Sequence, residues 1–120
     1  MSVSQLEGRR ILLVEDEYFQ ARELKEMLED IGAEVVGPTA SADEVPAMLE
    51  SAPVDAALID INLGDGPSFR TAELLKRKGV PFAFVTGYDQ ENVPADLKAV
   101  PRIEKPARQN NLIRLLSDLL

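Results

Sequence analysis

The sequence predicts an α/β domain, a parallel sheet with helices on both faces. Three observations carry this. Short apolar runs alternate with stretches of helical periodicity at close spacing, five of each, which is the pattern of successive strand–helix–strand units. The clearest of these runs are unbroken, as strands buried on both faces read. The 120 residues suffice for one domain with a proper core. The handedness of crossover connections then leaves few topologies.

The elements follow in order. Arg9-Arg10 lead into Ile11-Leu12-Leu13-Val14, a buried strand that ends in Glu15-Asp16-Glu17. From Tyr18 to Ile31, Ala21, Leu24, Leu28 and Ile31 recur at helical spacing, and Gly32 stops the helix. Val35-Val36 make a brief strand, ended by Gly37-Pro38. Ser41 is placed to cap a helix, with Glu44 at the capping-box position and Val45, Met48 and Leu49 on the apolar face. Pro46 falls early enough in that helix to be tolerated. Ala56 to Asp60 is the central strand, and a glycine-containing turn through Gly64 and Gly66 follows it. Its two glycines widen the backbone's choices and predict a mobile loop.

Ser68 to Lys78 then reads as a helix with Phe69, Ala72 and Leu75 on one stripe, ended by Gly79. Pro81 to Thr86 is a further strand, ended by Gly87. Pro94 interrupts Asp89 to Val100, so a short or irregular helix is expected there. Pro101 to Glu104 is a weak last strand, and Lys105-Pro106 makes a turn. Asn110 to Leu120 closes the chain as an amphipathic helix with Leu112, Leu115, Leu116 and Leu119 inward.

Composition removes whole classes of chemistry. There is no cysteine, hence no disulfide and no thiolate metal site. There is no histidine, which removes the commonest general base, the Ser-His triads and the usual zinc sites. Carboxylates, lysine, hydroxyls and backbone remain. The net charge of -8, from 21 acidic and 13 basic residues, repels nucleic acid and anionic membranes. Lys76-Arg77-Lys78 fits the end of a helix, where cations complement the dipole. Met1 to Gly8 is polar and lacks an apolar core segment, with no signal peptide or membrane span. A cytoplasmic protein is expected.

In open α/β sheets, ligands and chemistry collect at the carboxyl ends of the strands. Those ends supply Glu15, Asp16 and Glu17, then Asp60 with Asn62 two residues on, then Thr86 with Gly87 and Tyr88, and last Lys105. Carboxylates held together raise one another's pKa. A hard cation with oxygen ligands, Mg²⁺ rather than zinc, would offset the repulsion and attract a phosphoryl group. Lys105 and the Thr86 hydroxyl would then hold phosphoryl oxygens, and Asp60 would be free to attack phosphorus. Each residue also has a plainer role: Asp60 as a turn starter, Asp16 and Glu17 as helix cap and first-turn acids, Thr86 as a strand former, Lys105 as a surface lysine. The specific signal is the combination at successive strand ends.

Ile11-Leu12-Leu13-Val14-Glu15-Asp16-Glu17, Leu58-Ile59-Asp60, Val85-Thr86-Gly87 and Glu104-Lys105-Pro106 together resemble the receiver domain of two-component response regulators. The resemblance covers essentially residues 1–120. It implies a flavodoxin-like five-stranded parallel sheet of order 2-1-3-4-5 and a single receiver domain. A sensor histidine kinase or phosphotransfer protein would pass a phosphoryl group to Asp60 with Mg²⁺ as cofactor. By family pattern, Asp16 and Asp60 bind the metal through side chains, Asn62 through its backbone carbonyl, and Glu15 assists. Thr86 and Lys105 bind phosphoryl oxygens, and Lys105-Pro106 is cis. Such a chain is a switch, not an enzyme beyond its own phosphorylation and dephosphorylation. With no output domain in the 120 residues, it would act in trans on a downstream protein, as a monomer or weak homodimer, or shuttle phosphate between kinases.

One departure stands out. Family members place an aromatic switch residue three positions before the lysine, where this chain has Arg102. The stretch Pro81-Phe82-Ala83-Phe84-Val85-Thr86-Gly87-Tyr88 instead resembles the mostly single-domain FAT GUY subgroup of alphaproteobacteria, which makes Tyr88 the candidate switch aromatic. The rivals are a Mg²⁺-dependent aspartyl-nucleophile phosphatase and a receiver-like scaffold that is never phosphorylated. The first needs an aspartate as general acid two residues after the nucleophile, where Asn62 stands.

Overall fold

Successive side chains of a strand point to opposite faces, so an unbroken apolar run feeds two cores at once. The computed structural model, which describes residues 5–61, 69–87 and 93–120, shows that arrangement. Its strands are β1 (Arg10–Val14), β2 (Glu34–Thr39), β3 (Ala56–Asp60), β4 (Phe82–Thr86) and β5 (Arg102–Glu104). All pair in parallel in the order β2-β1-β3-β4-β5. The helices among the described residues are α1 (Tyr18–Asp30), α2 (Val45–Ser51), α3 (Arg70–Lys78) and α4 (Gln109–Leu119). Ile11, Leu13, Leu58 and Val85 pack against Leu24 and Leu28 of α1 and Leu112 and Leu116 of α4. Leu12, Val14, Ile59 and Phe84 meet Val45 of α2 and Ala72 and Leu75 of α3 on the other face. Burying each such side chain stabilises by about 1.5–3 kcal/mol.

β3 and β4 are buried along their whole length. They hold the middle of the sheet rigid. Phe84 makes edge-to-face ring contacts with Phe82 at 5.9 Å and with Phe69 at 6.3 Å, a geometry aromatic pairs favour. In α4, Leu112 and Leu116 are fully buried and Leu115 and Leu119 pack at the edge of the core. α3 ends at Gly79 in the left-handed conformation (φ 72°), with the Lys76-Arg77-Lys78 cations in its last turn, where they oppose the dipole.

Several expectations are corrected. β2 does not stop at Gly37-Pro38 but runs on to Thr39 through a cis Gly37–Pro38 bond. β2 lies at the sheet edge, where proline removes no ladder bond. Gly37 takes φ 101°, and the register slips so that Leu12 faces Val36 while Val14 faces Thr39, one extra residue absorbed as a bulge. Glu44 closes no capping box. Ser41 caps a short 3-10 turn (Ala42–Glu44) through Asp43 N–H, while the Glu44 carboxylate accepts from the Thr39 hydroxyl. The segment before β1 does reach the core, because Leu6 is fully buried in the cluster that also holds Leu28 and Ile31.

The stretch read as a short or irregular helix contains a 3-10 turn, Ala95–Leu97, with Val93 and Leu97 buried in the second core. The glycine turn through Gly64 and Gly66, Ser68 at the expected start of α3, and residues 88–92 lie outside the described residues.

Candidate functional site

Sheet register decides which strand ends meet. β1 and β3 are level, with Val14 opposite Ile59, so the next residues, Glu15 and Asp60, emerge side by side. Asp60 is opposite Val85 on β4, which puts Thr86 one step beyond it. Thr86 is opposite Glu104 on β5 and its carbonyl accepts the Lys105 N–H at 2.8 Å. That bond fixes where the Lys105 side chain starts. Its chain then reaches back across the end of β4 to β3 and β1.

The Lys105 ammonium donates to Asp60 Oδ2 at 2.8 Å and forms an ion pair with Glu15 Oε2 at 2.9 Å. Glu15 and Asp60 are 3% and 5% exposed, so both carboxylates have lost most of their hydration. Burial, reinforced by the neighbouring Asp60 carboxylate, pushes the Glu15 carboxyl from 4.5 up to about 7. Burial works against the Lys105 ammonium, but the hydrogen bonds to Asp60 and Glu15 outweigh it and raise its pKa above the ordinary lysine value.

The three carboxylates following β1 divide their roles. Glu17 caps α1, accepting from Gln20 N–H at 2.7 Å and Phe19 N–H at 3.4 Å, and the first turn of the helix carries no acidic residue. Glu15 accepts from Glu17 N–H at 3.2 Å and turns inward. Asp16 is exposed and points one carboxylate oxygen at the site. Glu15, Asp16 and Asp60 each offer an oxygen within 4.8 Å of the others. An oxygen-only donor set of this compactness fits a hard divalent cation such as Mg²⁺.

The structure therefore brings Glu15, Asp16, Asp60 and Lys105 together, with Thr86 buried (3% exposed) at the adjoining strand end. Asn62 and Tyr88 lie outside the described residues. Lys105–Pro106 is cis, as the resemblance implies.

A crevice of about 590 Å³ opens from this cluster and continues along α1 past Gln20, Glu23 and Met27 toward Pro106 and Ala107. Lys105 is the one cation among the described residues that line it. Gln20 Oε1 is buried there with no hydrogen-bond partner among the described residues. The sequence reading missed this side wall. Its signal was present, because Asp16, Gln20, Glu23 and Met27 follow one another at helical spacing.

The chain is similar to known proteins over most of its length. A model described as the response regulator receiver domain matches residues 11–117. The phyllosphere-induced regulator PhyR of Methylorubrum extorquens is 33% identical over 115 residues, spanning 92% of this chain and 43% of PhyR. The chain spans less than half the length of the curated relatives PhyR and LytT. The solution structure of SdrG from Sphingomonas melonis Fr1 has a TM-score of 0.82 at 32% identity, covering 99% of this chain and 98% of SdrG. The BeF3-activated conformation of SdrG gives 0.81 at 33% identity, covering 92% and 95%.

Proposed function

The chain belongs to the response regulator receiver domain family of two-component signalling, and from that premise we propose that it accepts a phosphoryl group on Asp60 in a Mg²⁺-dependent reaction. The observation that carries the reading is one ammonium, Lys105, held at 2.8 Å from Asp60 and 2.9 Å from Glu15, with Asp16 completing the carboxylate cluster. A buried carboxylate at a rigid strand end is a positioned nucleophile. A cation beside it is in place to meet phosphoryl oxygens.

Glu15, Asp16 and Asp60 would hold the metal, with the Asn62 carbonyl added by family pattern. Mg²⁺ bound there supplies positive charge that offsets the carboxylates and draws phosphoryl oxygens to the site. One Asp60 carboxylate oxygen forms the bond to phosphorus as the phosphorus–nitrogen bond of a phosphohistidine breaks. The imidazole leaves with that electron pair. Lys105 and the Thr86 hydroxyl bind the phosphoryl oxygens that the acyl phosphate carries. New charge at the strand ends then biases the segment after Gly87, with Tyr88 as the aromatic that responds.

The donor is a sensor histidine kinase or phosphotransfer protein, and the readout is contact with a downstream protein. Neither nucleic acid nor membrane is a partner in this reading, which treats residues 1–120 as one receiver domain in the cytoplasm, a monomer or weak homodimer. No helix among the described residues is long and apolar enough to cross a membrane. A histidine kinase autophosphorylated with labelled phosphate should pass the label to this chain and none to Asp60→Asn. Continuous turnover of an aryl phosphate would instead mark a phosphatase.

A further inference from the structure

The edge strand β2 ends beside Glu15, and its last turn of chain is specific. Gly37 and Pro38 together oppose Leu13, so Thr39 takes the place opposite Val14. Without the extra residue, the side chain at position 39 would turn to the other face of the sheet. Only glycine permits this at position 37. Its φ is 101°, and a Cβ there would come within 3.0 Å of the Leu13 carbonyl oxygen and of Thr39 N.

The bulge buries a hydroxyl, with Thr39 5% exposed. Thr39 Oγ1 accepts from Ser41 N–H at 3.2 Å and donates to the Glu44 carboxylate, with the Ser41 carbonyl oxygen 3.4 Å away as a second acceptor. Glu44 is anchored by its neighbour Val45, which is fully buried in the core under α2 and α3. On its main-chain side, the Thr39 carbonyl accepts from Glu15 N–H at 2.9 Å. The Glu15 carboxylate is held separately, by Glu17 N–H and by Lys105. Thr39 thus joins the β2–α2 turn to the backbone of the first residue in the carboxylate cluster.

We propose that Thr39 is a positioning residue for the ion site. Its hydroxyl fastens the end of an edge strand to Ser41 and Glu44, and its carbonyl thereby sets where Glu15 stands relative to Asp16 and Asp60. This rests on the reading of those three carboxylates as the Mg²⁺ site. Groups that orient a ligand from behind change metal affinity by about 10–100-fold when removed. A hydroxyl that served only the turn would instead change stability and leave ion affinity alone.

Thr39→Val keeps the β-branched shape and removes the hydroxyl bonds. Calorimetric titration should give it a Mg²⁺ Kd about tenfold above that of the parent. Thr39→Ser keeps the hydroxyl and should bind within about twofold of the parent. Thr71→Val is the matched control. Thr71 is also 5% exposed, and its hydroxyl has no hydrogen-bond partner among the described residues, so the Kd should not move. Glu44→Ala, at an exposed position, removes the same bond from its other end. It should weaken Mg²⁺ binding in the same direction, with no further loss when combined with Thr39→Val. In the ion-free chain, amide exchange followed by NMR should show Glu15 N–H exchanging about tenfold faster in Thr39→Val and unchanged in Thr71→Val. Urea midpoints confirm that each variant is folded, and Glu44→Ala decides the matter if Thr39→Val is not.

A Thr39→Val chain that loses stability yet keeps the parent's Kd would overturn the proposal and leave the ion-site reading standing. Equal weakening in Thr71→Val, or no recovery in Thr39→Ser, would overturn it too. A parent that binds no Mg²⁺ would overturn the ion-site reading and the proposal with it.

Discussion

Lys105 Nζ stands 2.8 Å from Asp60 Oδ2, reaching from the end of β5 across β4 to the central strand. The same ammonium meets Glu15 at 2.9 Å. Two carboxylates buried side by side are tolerable because this cation lies between them. Removing it takes away the buried cation that both carboxylates share. Lys105→Met should therefore lose about 3 kcal/mol at pH 8 without Mg²⁺, measured by urea unfolding. Adding Asp60→Asn should return much of that loss, since it removes one of the opposed charges. A loss no larger than that of an exposed lysine would contradict the ion-pair geometry.

The pH dependence follows from Glu15. Its folded pKa of about 7 lies above its ordinary 4.5, so the folded state binds the proton more tightly. The stability it contributes is fully present below 4.5 and is lost as pH rises through about 7. In ion-free buffer the protein should gain stability relative to Glu15→Gln as pH falls from about 8 to about 5. A constant difference between the two urea midpoint curves across that range would be the contrary result.

Magnesium should reverse that preference, because the carboxylates bind the ion only when deprotonated. At a hundredfold excess over its Kd the ion should stabilise the fold by about 2.7 kcal/mol. Chelation should remove the gain, and calorimetry in buffers of different ionisation enthalpy should show proton release near neutral pH. Asp16 is exposed and belongs to the carboxylate cluster. Asp16→Asn should therefore cost most of the Mg²⁺ increment while barely changing ion-free stability. An undiminished increment would remove Asp16 from the ion site.

Leu6 is fully buried although its neighbours in sequence are polar. Its side chain belongs to the core cluster that includes Leu28 and Ile31. Leu6→Ala should cost about 2–4 kcal/mol in urea unfolding. A cost under about 0.5 kcal/mol, the range of surface substitutions, would place Leu6 outside the core.

Legibility in the sequence tracked how strongly local pattern determines structure. β3 and β4 are unbroken apolar runs closed by turn residues, and their extents could be read almost to the residue. Helix α1 was equally plain, since Ala21, Leu24, Leu28 and Ile31 mark one stripe and all are buried. β2 was cut short because Gly37-Pro38 ordinarily ends a strand, whereas an edge position with a bulge accommodates it. Leu6 was missed because a lone leucine has no periodicity. The Glu44 contact with Thr39 depends on where β2 ends and so could not precede it.

The site divides the same way. Asp60, Glu15, Asp16 and Lys105 stood at strand ends, and strand ends follow from the hydrophobic pattern. That Lys105 touches both carboxylates depends on register across three strand pairs, which no local motif encodes. Gln20, Glu23 and Met27 share one face of α1 by their spacing, but that this face borders the crevice depends on how α1 lies against the β5–α4 turn, a tertiary fact.

Intact-mass spectrometry after incubation with acetyl phosphate decides the matter most directly. With Mg²⁺ the chain should gain the mass of one phosphoryl group, labile to hydroxylamine. It should gain none with chelator or in Asp60→Asn. A gain that persists in Asp60→Asn, or no gain in the parent with Mg²⁺ present, would mean that Asp60 is not the phosphoryl acceptor.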